Sequence, residues 1–157
     1  MTLPSSHRLL VLMADDDADD QMFAQDAFAE SGLPHNLDFV NDGEALIDRL
    51  NSCLAPTQSS HNRLPDLILL DLNMPRKDGR EALREIKAHP KLRHIPVVVL
   101  TTSSADGDIY GSYDIGANSY ITKPVTFDGL VEVLNTLGNY WFSVVQLPRE
   151  GYLNHAG

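Results

Sequence analysis

The chain has 157 residues, 43% of them hydrophobic and 22% charged, which is the make-up of one globular domain large enough to bury a core. A net charge of −10 argues against a surface that binds nucleic acid or anionic membrane electrostatically; it suits basic partners, a divalent cation or plain solubility. A single cysteine, Cys53, rules out an internal disulfide. The first eight residues lack signal-peptide character and no apolar run reaches membrane-span length, so a cytoplasmic protein is expected.

Strand-like and helix-like segments alternate five times, the pattern of a parallel sheet wound with helices. Leu9 to Met13 reads as the first strand, and Ala18 to Ser31 as a helix closed by Gly32 and Pro34. Asn36 to Val40 is a second strand, and Asp42-Gly43 opens a helix to about Cys53. Leu54 to Leu64 is polar and turn-rich, a long surface loop. Leu67 to Leu70 is apolar throughout, as in a strand buried on both faces. Asp78 to His89 forms the third helix, stopped by Pro90. Ile95 to Leu100 is the fourth strand and Asp106 to Ile115 the fourth helix, ended by Gly116. Ser119 to Thr122 is the fifth strand, and the last helix starts near Thr126 and runs past Trp141.

The strand ends carry the chemistry. The third strand runs directly into Asp71, and a buried strand gains nothing in stability by ending on a carboxylate that must be desolvated. The first strand ends at Asp15, Asp16 and Asp17, the fourth at Thr101, Thr102, Ser103 and Ser104, and the fifth at Lys123-Pro124. In an open parallel sheet, ligands bind beyond the carboxyl ends of the strands. An acid pair, a lone acid, a hydroxyl and a lysine are therefore expected at one edge. Asp17, Asp19 and Asp20 read as charges of a helix's first turn. The six histidines have no metal-ligand spacing.

This ordered set resembles the receiver domain of bacterial two-component response regulators, over residues 8 to 137. Asp15 and Asp16 match the family's acidic pair, Asp71 its phosphoacceptor, Thr101 its hydroxyl and Lys123-Pro124 its lysine, with Asn73, Pro75 and Gly79 in the loop pattern. The intervals of 30 residues from Asp71 to Thr101 and 22 from Thr101 to Lys123 also fit. The resemblance implies a doubly wound, flavodoxin-like α/β fold with five parallel strands in order 2-1-3-4-5 and five helices, the last extended. It implies Mg²⁺, or Mn²⁺ or Ca²⁺ in its place, on Asp16, Asp71 and the backbone carbonyl of Asn73, with Asp15 acting through a water. Phosphoryl transfer to Asp71 from a sensor histidine kinase, or from a small donor such as acetyl phosphate, follows. In the family Thr101 and Lys123 contact the phosphoryl group, Tyr120 turns inward, Pro124 follows a cis peptide bond, and the face of the fourth helix, fifth strand and fifth helix changes shape. Ser103 is a candidate to tune hydrolysis of the phosphate. No catalysis is expected beyond the domain's own phosphorylation and dephosphorylation.

Residues 138 to 157 form an extension too short for an output domain. Tyr140, Trp141, Phe142, Val144, Val145 and Leu147 make it apolar nearly all round, which marks an interface, and a homodimer is expected; packing against the same domain's core is the alternative. The long loop and this tail make the chain similar to single-domain regulators paired with bacterial phytochromes. A phosphorelay intermediate that passes its phosphate to a histidine phosphotransfer protein is the main alternative. An Asp-nucleophile phosphatase is remote, because its second Asp is replaced by Asn73. No P-loop or Gly-x-Gly-x-x-Gly pattern occurs, and neither nucleic acid nor membrane is expected as a partner.

Overall fold

The structure, a computed structural model, describes residues 8–30, 35–55 and 63–141. Five strands and five helices alternate: β1 (Leu9–Ala14), α1 (Ala18–Glu30), β2 (His35–Val40), α2 (Gly43–Cys53), β3 (Leu67–Leu70), α3 (Gly79–Ala88), β4 (Val97–Thr101), α4 (Asp106–Ile115), β5 (Ser119–Thr122) and α5 (Phe127–Asn139). All strand pairings are parallel, in the order β2-β1-β3-β4-β5, as expected. The strand order reverses between β1 and β3, where ligand crevices form in such sheets.

The central strands are buried on both faces, and their side chains sort by period two. Leu12, Ala14, Ile68, Leu70, Val97 and Val99 face a core completed by Leu46, Leu50, Leu83 and Ile86 of α2 and α3. Val11, Met13, Leu67, Leu69, Val98 and Leu100 face the opposite core, closed by Phe28 of α1 and Leu130, Leu134 and Leu137 of α5. Each such large side chain, once fully buried, contributes about 1.5–3 kcal/mol of gross hydrophobic stabilisation. The sheet can therefore hold carboxylates at its rim.

Four of the five helices start at side-chain caps. Asp42 accepts from the Ala45 N–H (2.7 Å), Asp78 from Arg80 N–H (2.9 Å) and Glu81 N–H (3.2 Å), and Thr126 from Gly129 N–H (3.1 Å). Asp17 accepts from the N–H groups of Asp19 and Asp20, the role expected of it. β4 starts at Val97 rather than Ile95, because Pro96 has no N–H to enter a ladder; its carbonyl still accepts from Ile68 N–H at 3.0 Å. The α-helical turns of α5 stop at Asn139, and Tyr140 and Trp141 continue in a wider π-type turn.

Trp141 was expected to face a partner. Instead it is buried, 7% exposed, in the apolar cluster with Leu134 and Leu137, where its large apolar surface completes the α5 side of the core. Tyr140 is half exposed and packs edge-to-face on it with ring centroids 5.4 Å apart. Phe142, Val144, Val145 and Leu147 lie outside the described residues, as does most of the loop after α2.

Candidate functional site

Backbone hydrogen bonds fix the two acidic strand ends against each other. Asp71 N–H donates to the Ala14 carbonyl and Asp15 N–H to the Val40 carbonyl, both at 3.0 Å. The register that buries the central strands thus brings Asp15 and Asp71 side by side. Oxygens of Asp15, Asp16 and Asp71 all lie within 4.8 Å of one another. Asp15 and Asp71 are buried, while Asp16 is exposed at the mouth. Asn73 is also exposed; its N–H donates to Asp71 Oδ1 at 3.1 Å, orienting the carboxylate.

Lys123 enters from the end of β5. Its N–H donates to the Thr101 carbonyl at 2.6 Å, which ties the lysine to the end of β4. Its Nζ donates to Asp15 Oδ2 (2.7 Å), Asp20 Oδ2 (2.7 Å) and Asp71 Oδ2 (3.3 Å), and its side chain is 6% exposed. Burial works against the ammonium charge, yet the bonds to Asp15 and Asp20 and the charges of Asp15 and Asp71 outweigh it and hold Lys123 above its ordinary range. The peptide bond into Pro124 is trans, since the described residues contain no cis peptide bond; the expected cis bond is corrected. Trans is the intrinsically favoured X-Pro isomer, and it carries the chain into the α5 cap at Thr126.

Asp20, by sequence a solvated first-turn charge, is instead a direct partner of Lys123. The sequence signal was its place one turn into α1, on the side that faces the strand ends, but an acid in a helix's first turn needs no further explanation. Only the approach of β5 to α1 separates the two roles.

Thr101 is fully buried, and its hydroxyl has no hydrogen-bond partner. A buried hydroxyl left unpaired costs stability unless a ligand uses it. Tyr120 stands outside the carboxylate cluster: its ring packs on the α2–α3 side of the core and its hydroxyl donates to the Ser103 carbonyl at 2.9 Å.

Burial, countered only in part by the bonds from Lys123 and Asp17, pushes the Asp15 carboxyl up to about 6 from its ordinary 3.8. A hard cation that prefers oxygen ligands suits this donor set, because four carboxylates, Asp15, Asp16, Asp20 and Asp71, gather at one rim around a single buried ammonium among the described residues. The folded state holds the Asp15 proton more tightly than the unfolded state, so this group's stabilising contribution is full below about 3.8 and is lost as pH rises through about 6. A bound divalent cation would displace that proton. Apparent Mn²⁺ affinity is therefore expected to weaken as pH falls through about 6 and to level off above it; calorimetric titration across that range checks it, and a flat profile would refute it.

The comparisons agree with this geometry. Residues 11–135 match the response regulator receiver domain. Response regulator Rcp1 of Synechocystis is 37% identical over 139 residues, covering 88% of this chain and 92% of Rcp1. The Mn²⁺-bound crystal structure of Rcp1 superposes with a TM-score of 0.82, covering 90% of this chain and 99% of that one. The phosphorylated cyanobacterial phytochrome response regulator RcpA gives a TM-score of 0.83 at 40% identity, with 90% of this chain and 99% of that chain covered. The probable methanogenesis regulatory protein FilR2 of Methanothrix harundinacea is 34% identical over 93% of this chain and 92% of its own. Five parallel strands in the order 2-1-3-4-5, an acidic rim suited to a divalent cation and the family match over most of its length establish that this chain belongs to the response regulator receiver domain family.

Proposed function

We propose that this receiver accepts a phosphoryl group on Asp71 from a sensor histidine kinase, of the phytochrome class in view of its likeness to Rcp1 and RcpA. The observation that carries the assignment is the Asp71 carboxylate in contact with Lys123, whose backbone is tied to the strand end bearing the buried, unpartnered Thr101 hydroxyl. In the transfer an Asp71 oxygen bonds to phosphorus as the bond to the donor breaks, through a loose transition state that needs placement and charge neutralisation more than covalent help. Lys123, in contact with Asp71, supplies a fixed positive charge for the transferring group. The Asn73 N–H orients the carboxylate, and Thr101 offers its free donor to the oxygens of the attached group. Asp15, Asp16 and Asp71 would hold the divalent cation, which when bound neutralises charge on the transferring group.

We assign the receiver unit to residues 8–137 and the signalling face to α4, β5 and α5. A groove of about 640 Å³ between β5 and α5, lined by Ile121, Val133, Leu137 and Tyr140 among others, supports self-association at that face, with residues 138–157 contributing. No described helix is long and apolar enough to cross a membrane.

Acetyl phosphate with Mg²⁺ should add the mass of one phosphoryl group to the protein, and Asp71→Asn should abolish it. Addition to the Asn variant, or none to the wild type from either acetyl phosphate or a phosphorylated phytochrome kinase, would reject the assignment. Light scattering of the same samples reports whether the adduct changes assembly.

A further inference from the structure

Helix α4 is held unlike the others. Of its ten residues only Ser112 is fully buried, and that residue's hydroxyl has no partner. Its N-cap position, Ala105, offers no side-chain cap. Gly107 and Gly111 lie in the helix with open space where a Cβ would be, so they weaken it without serving a close approach. Tyr110 is 75% exposed.

What α4 has instead is a polar chain running towards the phosphoacceptor loop. Asp108, in its first turn, accepts from Arg80 Nε (2.9 Å) and Nη2 (2.8 Å) on one oxygen and from the Ser103 hydroxyl (2.6 Å) on the other. Arg80 immediately follows Gly79, whose N–H donates to Leu72 next to Asp71. Ser103 lies two residues beyond Thr101, and its carbonyl receives the Tyr120 hydroxyl. A second tie, from Tyr120 N–H to the Tyr113 hydroxyl at 3.1 Å, joins α4 to β5.

We propose that Arg80 and Asp108 are positioning residues: their ion pair, with Ser103, pins a weakly packed α4 to the β4–α4 loop and couples that helix to the state of Asp71. The pin touches no reacting atom. It joins the first turn of α3 to the helix of the signalling face and to the β4–α4 loop through one charge-assisted chain, the strongest class of hydrogen bond available to a partly exposed cluster. The coupling rests on the receiver reading above; the pin itself does not.

Hydrogen exchange of the full-length protein, resolved by segment, tests both. Without ligand, α4 amides in Arg80→Ala and in Asp108→Asn should exchange about fivefold or more faster than in the wild type, while β1, β3 and α5 stay unchanged. Arg49→Ala, which breaks the exposed pair with Asp38 elsewhere, should leave α4 alone. With Mg²⁺ and beryllofluoride, a mimic of a carboxyl-bound phosphoryl group, the wild type should change exchange in both the β4–α4 loop and α4. The two pin variants should respond in the loop only, and Arg80→Lys should recover part of the α4 response. Unchanged α4 exchange in both unliganded variants would overturn the pin. An α4 response in Arg80→Ala equal to that of the wild type would overturn the coupling. Failure of the wild type to respond at the loop at all would instead reject the receiver reading, leaving the unliganded comparison to decide the pin.

Discussion

Lys123→Met should unfold at a markedly lower temperature than the wild type when divalent cations are chelated, and Mg²⁺ should restore more stability to the variant than to the wild type. Lys123 contacts three carboxylates, two at 2.7 Å and one at 3.3 Å, and is itself buried. Breaking a buried ion pair by deleting one partner costs about 3–5 kcal/mol, since the remaining charge is left without compensation. For a domain of this size that is a fall on the order of 10 °C. Among the described residues no other buried cation remains, so binding of the divalent ion is worth more to the variant. Phosphoryl transfer to Asp71 should still fall by about 10²–10³ in rate, because a fixed charge at the transferring group is gone. Thermal melts in chelator and in Mg²⁺, with timed mass measurements, check both. Equal melting temperatures in chelator would show that Asp15, Asp20 and Asp71 do not depend on this ammonium.

Gly79→Ala should damage fold and site together. Gly79 is buried, and a Cβ there would collide with the Asp71 carbonyl oxygen and lie 2.7 Å from Leu72 Cα and 3.0 Å from the Asp71 carbonyl carbon. These are backbone atoms, which cannot swing aside as a flexible side chain does. Helix α3 must back away from the segment that carries the phosphoacceptor, at about 3 kcal/mol, and the Gly79 N–H must leave the Leu72 carbonyl it reaches at 2.9 Å. Denaturant midpoints should fall and the rate of acetyl phosphate labelling should fall with them. Gly107→Ala and Gly111→Ala are the contrast. Their Cβ atoms would meet nothing within 4 Å, so each should stabilise the protein by about 0.5–1 kcal/mol. Similar midpoints for Gly79→Ala and the wild type would contradict the close approach.

The elements themselves were legible because local rules determine them. Asp42, Asp78 and Thr126 cap helices where their side chains compete best for free N–H groups, Gly116 ends α4 at a φ of 129°, and the uninterrupted apolar runs of β1, β3 and β4 could sit only inside a sheet covered on both faces. Asp71, Asp15 and Lys123 stood out for the same reason: charge at the end of a buried strand conflicts with burial unless the site uses it. Strand ends were therefore readable as a site before any distance was known.

Tertiary contact alone decided the roles that depend on which strand end approaches which helix. Asp20 became a partner of Lys123 only when β5 met α1, and no pattern local to either segment encodes that meeting. The Arg80–Asp108 pair joins residues 28 positions apart on two helices. Trp141 went into the domain's core by extending the apolar face of Leu130, Leu134 and Leu137; the amphipathic rhythm could not say whether its own core or a second copy would cover it. Periodicity and capping act over one or two turns of chain, so the sequence determined the elements and the chemistry at their ends. Partner choice among charges is an interaction through space, and packing had to settle it.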